Sequence, residues 1–271
     1  MDLKLIVCGL IVMTASSVEA QRIVAHRGAS NDAPENTLAA FQLAWEQGAD
    51  AIEGDFYLTQ DQQIVCIHDD KTKRTSGEDY IVSKSTFDAL RKLDVGRWKD
   101  PRFTGEKIPT LSEVLATIPP GKQIYIEVKC GPEIVPFLLP VLKQSGLSPE
   151  QTVVISFNQQ VIAETRRQIP EIQAYWLVGF RQNKETKVSE PSLESILQTA
   201  AEIQTQGIDL QANRDRLNDD FVKQLRDRKL SFHVWTVNAP ADALHFQKLG
   251  VDSITTDRPA YLRQELNLQK N

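Results

Sequence analysis

Cysteine is scarce: the 271-residue chain carries three, too few for a disulfide framework. Cys66 shares strand parity with His68, whereas Cys130 has the opposite parity to Glu127 and Lys129, so no bridge between these two is expected. A basic excess is missing as well. The chain has 31 Lys and Arg against 36 Asp and Glu, a net charge of −5, and no basic tract offers a footprint for nucleic acid. Long hydrophobic runs are also lacking. The apolar run Leu5 to Met13 is far shorter than the roughly twenty residues of a membrane span, and no glycine loop of the dinucleotide-binding kind is present.

That short run has its own reading. Lys4 precedes it and Val18-Glu19-Ala20 follows, the order of a secretory signal peptide over residues 1–20 with a mature start near Gln21. A buried first strand or a membrane anchor are the alternatives, but the run is too short to span. Cys8 lies at its start rather than after a small residue at its end, which argues against lipid anchoring. Export to a periplasm or the medium is therefore expected, with no stable membrane anchor. Cleavage would move the net charge only from −5 to −4.

The length allows two small domains or one larger barrel, and the pattern decides. Strands are expected at 22–26, 50–58, 123–129, 152–156, 172–177, 208–211, 231–237 and 251–255. Helices are expected at 35–47, 110–118, 132–145, 158–168, 190–205, 218–229, 240–249 and 258–267. Too few residues separate the run Ile64 to Ile67 from strand 50–58 for a helix, so the two form an antiparallel hairpin. Residues 70–108 break the rhythm with many charges and a short helical stretch near 83–93, the mark of a small cap insertion after the second barrel strand and its hairpin. Eight strands, each followed by a helix, predict an α/β fold, the (β/α)8 TIM barrel. An open doubly wound sheet is the structural alternative.

In such a barrel, residues at strand C-terminal ends converge on one mouth. Glu53 and Asp55 share parity, as do Glu127 and Lys129. Three confined carboxylates cannot all stay ionised without a counter-charge, and their oxygen-only donor set favours Mg2+ or Ca2+ over zinc. His26 and His68 reach the mouth from different segments, a pair fit for general base and general acid. Asp69 either orients an imidazole or caps the following turn. Arg27 and Lys129 bring fixed positive charge, and a guanidinium fork beside a metal suits a phosphate ester. Trp235 forms an apolar wall of the substrate pocket or a large core aromatic. His233 is expected one layer deeper, packed, and His245 on an exposed helix face.

These residues also carry a resemblance. The series His26-Arg27-Gly28, Pro34-Glu35-Asn36-Thr37, Gly48-Ala49-Asp50 with Glu53-x-Asp55, Thr59-x-Asp61 and His68-Asp69 opens it. Leu93-Asp94-x-Gly96-x-Trp98, Ile108-Pro109-Thr110-Leu111, Glu127-Val128-Lys129 and Trp235-Thr236-Val237-Asn238 complete it. Together they resemble the glycerophosphodiester phosphodiesterase family from about residue 22 to 260. The resemblance implies a (β/α)8 barrel that hydrolyses glycerophosphodiesters to glycerol 3-phosphate and an alcohol. It implies that Glu53, Asp55 and Glu127 hold one divalent cation, that His26 and His68 are the acid–base pair, and that Arg27 and Lys129 hold the phosphate. It also implies attack by the glycerol 2-hydroxyl through a cyclic phosphate. A lysophospholipase D acting on lysolipids, or an exported protein that binds glycerophosphodiesters without turnover, would use the same residues.

Overall fold

The structure is a computed structural model that describes residues 21–182, 184–185 and 189–268. The signal segment expected over residues 1–20 lies outside the described residues. The chain runs β1 (Arg22–Ala25), α1 (Leu38–Glu46), β2 (Ala51–Leu58), β3 (Ile64–Cys66), then α2 (Lys73–Ser76), α3 (Phe87–Leu90) and α4 (Leu111–Leu115). Next come β4 (Gln123–Val128), α5 (Val135–Ser145), β5 (Thr152–Ser156), α6 (Gln159–Gln168) and β6 (Gln173–Val178). A two-stranded excursion, β7 (Arg181–Gln182) and β8 (Ser189–Glu190), precedes α7 (Leu193–Glu202). The chain closes with β9 (Gly207–Gln211), α8 (Asp219–Asp227), β10 (Ser231–Trp235), α9 (Pro240–Lys248), β11 (Ser253–Thr256) and α10 (Pro259–Leu268).

Eight parallel strands close into a barrel in the order β1, β2, β4, β5, β6, β9, β10, β11, because β1 pairs with β11 on one side and β2 on the other. Closure rules out the open sheet. Strand alternation then sorts the side chains. Inward-facing Val24, Ala51, Tyr125, Val153, Ile155, Tyr175 and Leu177 fill the barrel. Their outward neighbours, among them Ile52, Ile126, Val154, Ile208, Phe232 and Ile254, pack under the helices. Because β2 and β4 share this register, Glu53 and Asp55 face inward beside Tyr125 and Glu127.

β2 is longer than its neighbours. Its last residues, Phe56–Leu58, pair antiparallel with β3, so the hairpin rises past the rim and returns His68 to the mouth. The 70–108 insert packs on that hairpin through Val65, Ile67, Val82, Leu90, Leu93, Val95 and Ile108.

Several expectations need correction: the helices expected from 35 and from about 190 begin only at Leu38 and Leu193, after the N-caps Thr37 and Ser192. The helical stretch near 83–93 is a 3-10 turn at Val82–Lys84 followed by α3, because Thr86 interposes an extended N-cap. The helix expected at 110–118 stops at Leu115, although the Thr110–Glu113 capping box starts it where expected. His245 is half-buried rather than exposed, and its Nε2 is enclosed without a hydrogen-bond partner. Neither α2 nor the β7–β8 excursion was legible, since both elements are too short to show periodicity. Cys66 and Cys130 are free thiols.

Candidate active site

The turn after β1 sets the site. Arg27 (φ 55) and Gly28 (φ 80) are both left-handed, which folds the chain back sharply over the strand end. At Gly28 a Cβ would lie 2.5 Å from the main-chain carbon of Ala40, so only glycine lets α1 approach this closely. Thr37 caps α1, accepting from the Ala40 N–H at 3.2 Å. The preceding Asn36 clasps Asp55: its amide donates to Asp55 Oδ2 at 2.8 Å, and its carbonyl accepts from the Asp55 N–H at 3.1 Å.

One oxygen from each of Glu53, Asp55 and Glu127 lies within 4.8 Å of the others. All three side chains are buried, at 2 %, 0 % and 8 % exposure. The Arg27 N–H donates to Glu53 Oε2 at 2.9 Å, while Glu53 Oε1 and Asp55 Oδ1 have no hydrogen-bond partner. Burial, then repulsion from Asp55 and Glu127, raises the Glu53 carboxyl well above the ordinary range. Burial and the Asp55 charge also raise Glu127. At Asp55 burial works upward too, but Lys129 and Arg27 outweigh it and its carboxyl is held low. Lys129 Nζ donates to Glu127 Oε1 at 2.7 Å and stands 3.3 Å from Asp55 Oδ1. Three carboxylates thus face two fixed cations. Orphaned oxygens in an all-oxygen donor set fit a hard divalent cation.

The two histidines share one arrangement. His26 pairs through Nδ1 with Asp257 Oδ1 at 2.6 Å, and His68 through Nδ1 with Asp69 Oδ1 at 2.7 Å. Each carboxylate fixes its imidazole with Nδ1 as donor, which leaves Nε2 as the nitrogen available to a substrate. Burial works against the Asp257 charge, but hydrogen bonds from His26, Asn238 and Ser30 bring its carboxyl down to about 2. The Arg74 hydrogen bond, with one from His68, brings Asp69 down to about 2. Asp69 therefore orients an imidazole.

Arg74, at the edge of the cap, bridges further. Its guanidinium donates to both oxygens of Asp69 and both of Glu35, at 2.7–3.2 Å. Glu35 also accepts from Arg27 Nη1 at 3.2 Å. A continuous chain of ion pairs thus joins His68 to Arg27 and Asp55. Replacing Arg74 with Leu is expected to lower kcat about tenfold with KM little changed. Lys at this position should fail to restore it, because an ammonium cannot engage both oxygens of each of two carboxylates as the planar guanidinium does. Steady-state kinetics tests this, and a change confined to KM would count against it.

These groups open on a cavity of about 260 Å3. Its polar arc comes from neighbouring parts of the barrel: His26 and Arg27 after β1, Glu53 on β2, His68 after β3, and Glu127 and Lys129 at the end of β4. The facing arc is mostly apolar, with Ile155 on β5, Phe157 directly after it, Leu177 from β6 and Trp235 from β10. Trp235 packs edge-on to Phe157 with ring centres 5.4 Å apart, so it walls the cavity while also touching the barrel core. His233 packs one layer deeper, stacked 4.5 Å from Tyr175 and bonded to Ser253 and Ser231.

The sequence model of the glycerophosphoryl diester phosphodiesterase family matches residues 26–261. The chain belongs to this family. A glycerophosphodiester phosphodiesterase of Caldanaerobacter subterraneus is 32 % identical over 247 residues, covering 89 % of this chain and 95 % of that protein. One from Bacillus subtilis is 30 % identical over 253 residues, covering 87 % and 83 %. Among solved structures, an Oleispira antarctica phosphodiesterase in complex with the product sn-glycerol-3-phosphate matches with a TM-score of 0.80 and 28 % identity, covering 91 % of this chain and 96 % of that one. As a member of the family, the chain is a phosphoric diester hydrolase, a glycerophosphodiester phosphodiesterase.

Asp257, Glu35 and Arg74 are working parts of the site beyond those expected from the sequence. Asp257 follows directly on β11, at the same strand-end position that marked His26 and Lys129, so the signal was present. Arg74 lies in the irregular cap, where nothing in the sequence ties it to Glu35.

Proposed function

We propose that the chain cleaves glycerophosphodiesters to glycerol 3-phosphate and an alcohol in a reaction that depends on one divalent cation, Mg2+ or Ca2+, with His26 and His68 as the acid–base pair. The observation that carries this reading is the convergence on one cavity of the Glu53, Asp55 and Glu127 oxygens and two carboxylate-paired imidazoles. Glu53, Asp55 and Glu127 would hold the cation, which when bound supplies positive charge to the phosphoryl oxygens. A diester anion adds one more negative charge to three carboxylates and two cations, and a divalent ion brings that set to neutrality.

Arg27 and Lys129 meet the phosphate. Both also hold carboxylates, so their positions are set before substrate arrives. One imidazole takes the proton of the attacking oxygen, from the glycerol 2-hydroxyl or water. The other gives a proton to the departing alkoxide. His68 suits the base. Burial lowers its pKa, Arg27 and Lys129 add to this, and the opposing pull of Asp55 and Asp69 does not cancel it, so its Nε2 is a free acceptor at neutral pH.

We also place the mature start near Gln21, with export to a periplasm or the medium, on the order of charged, apolar and small residues at the start of the sequence. The test is release of glycerol 3-phosphate from glycerophosphocholine by exported protein, with Mg2+, with Ca2+ and with chelator. N-terminal sequencing of the same material checks the start. Release that stops with chelator and returns with either ion is the expected result. Hydrolysis of lysolipids alone would move the assignment to a lysophospholipase D. Metal-dependent binding of glycerophosphocholine without release would make the protein a binder.

A further inference from the structure

One buried carboxyl faces the cavity with no task in the scheme above. Asp209 projects inward from β9 at 1 % exposure and lines the same cavity, on the arc opposite the metal triad and the histidines. It is the one acidic group of that arc among the described residues, set between Leu177 and His233 in the strand register. Its Oδ1 has no hydrogen-bond partner.

No neighbouring side chain is hydrogen-bonded to it, and the Tyr125 hydroxyl, within electrostatic reach, is itself buried without a partner. Both ring nitrogens of His233 are engaged by Ser253 and Ser231, at 2.7 and 3.0 Å. The Trp235 indole donates at 3.1 Å to the main-chain oxygen of Asp209, not to its carboxyl. Lys129 and Arg27 are held on Asp55, Glu127 and Glu35. Asp209 is also outside the group of carboxylates close enough to share an ion. A buried polar group without a partner is rare and costly in a native fold, and one that lines a cavity calls for a ligand.

We propose that Asp209 is a specificity residue that hydrogen-bonds a hydroxyl of the substrate's glycerol moiety. The inference rests on the glycerophosphodiester reading of the site. With the phosphate on the polar arc, the three-carbon chain extends toward Leu177 and Trp235, where it finds apolar surface and a single polar group. Burial, then the charge of Glu127, raises the Asp209 carboxyl well above its ordinary range. A protonated carboxyl both donates and accepts, which matches a hydroxyl that does the same. A site built this way discriminates against an analogue lacking the hydroxyl, since the carboxyl is then left unpaired.

The test is calorimetric binding of sn-glycerol 3-phosphate and of ethyl phosphate, which lacks both hydroxyls, to the whole chain with metal ion. The wild type should prefer glycerol 3-phosphate by about tenfold or more. Asp209→Leu should bring the two ligands to within about threefold of each other, and Asp209→Asn, which keeps a donor and an acceptor, should restore most of the preference. Asp209→Leu should melt no lower than wild type, because it removes a buried unpaired group without changing its size much. Three results overturn the proposal: a wild type with no preference, an Asp209→Leu variant that keeps it, or one that loses affinity for both ligands equally. Turnover of glycerophosphocholine by the wild type separates this from the function itself. Preferential binding without release would sink the hydrolytic reading and leave the Asp209 assignment standing.

Discussion

His68→Ala is expected to cut turnover of glycerophosphocholine by about 10²- to 10⁴-fold, and His26→Ala by a similar factor. Each removes a group that holds or moves a proton at a reacting oxygen, and neither touches the carboxylates that would hold the cation. Metal affinity and melting temperature should therefore stay near wild type. The double variant should lose little more than the worse single one, because acid and base act as a unit. Asp69→Asn should fall between, since it keeps a partner for Nδ1 but no longer fixes which ring nitrogen carries the proton. The sign of the pH dependence follows from His68. Its pKa is lowered from that of an ordinary imidazole, with burial the main cause, so the neutral, proton-accepting form persists to lower pH than in a free imidazole. Activity should fall as pH drops through that pKa, and the acid limb of the kcat/KM profile should vanish in His68→Ala. Near-normal activity in folded His68→Ala protein would falsify the acid–base assignment.

The barrel was legible because its information is local and repeated. Each strand needed only a short run of β-branched and apolar residues, and each helix only one apolar face. Parity alone then placed Glu53 with Asp55, and Glu127 with Lys129, on the inner surface; the register sets Asp55 beside Glu127, and Lys129, one residue past β4, reaches both carboxylates. The carboxylate triad and the two histidines could be read for the same reason, since strand ends in a closed barrel must share one mouth. What could not be read depends on chain segments that parity does not relate. Arg74 and Glu35 are separated by 39 residues and meet through the irregular cap. Asp257 and His26 are separated by 231 and meet only because β11 closes on β1. Asp209 was hidden differently. It is a lone acidic residue within the strand expected at 208–211, and only its burial without a partner marks it. The cap helix over 83–93 failed because the capping signal at Thr86 breaks it, a local effect that outweighs a loose apolar spacing.

Glu53→Gln separates the work of the metal triad from its part in the fold. Without a cation, burial and the charges of Asp55 and Glu127 work against the charged form of the Glu53 carboxyl and hold it well above its ordinary range, so replacing it with neutral Gln, nearly its isostere, relieves that repulsion. The amide oxygen can still accept from the Arg27 N–H, as Glu53 Oε2 does at 2.9 Å. The amide nitrogen replaces an orphaned oxygen and faces two carboxylates, to which it can donate. The metal-free variant should therefore melt at or above wild type. With cation the order reverses. Wild type at one hundred times its Kd should gain about 2.7 kcal/mol, whereas the variant, with one charged ligand fewer, should bind at least about a hundredfold more weakly and gain almost nothing. Turnover should fall in parallel by a comparable factor or more. Glu127→Gln should behave differently, because it breaks the 2.7 Å pair with Lys129 and leaves a buried ammonium with less compensation. That variant should lose stability even without metal. Thermal melts of both variants, with and without Mg2+ or Ca2+, decide the point. If Glu53→Gln keeps the metal-dependent rise in melting temperature and its activity, the cation does not sit on Glu53, Asp55 and Glu127.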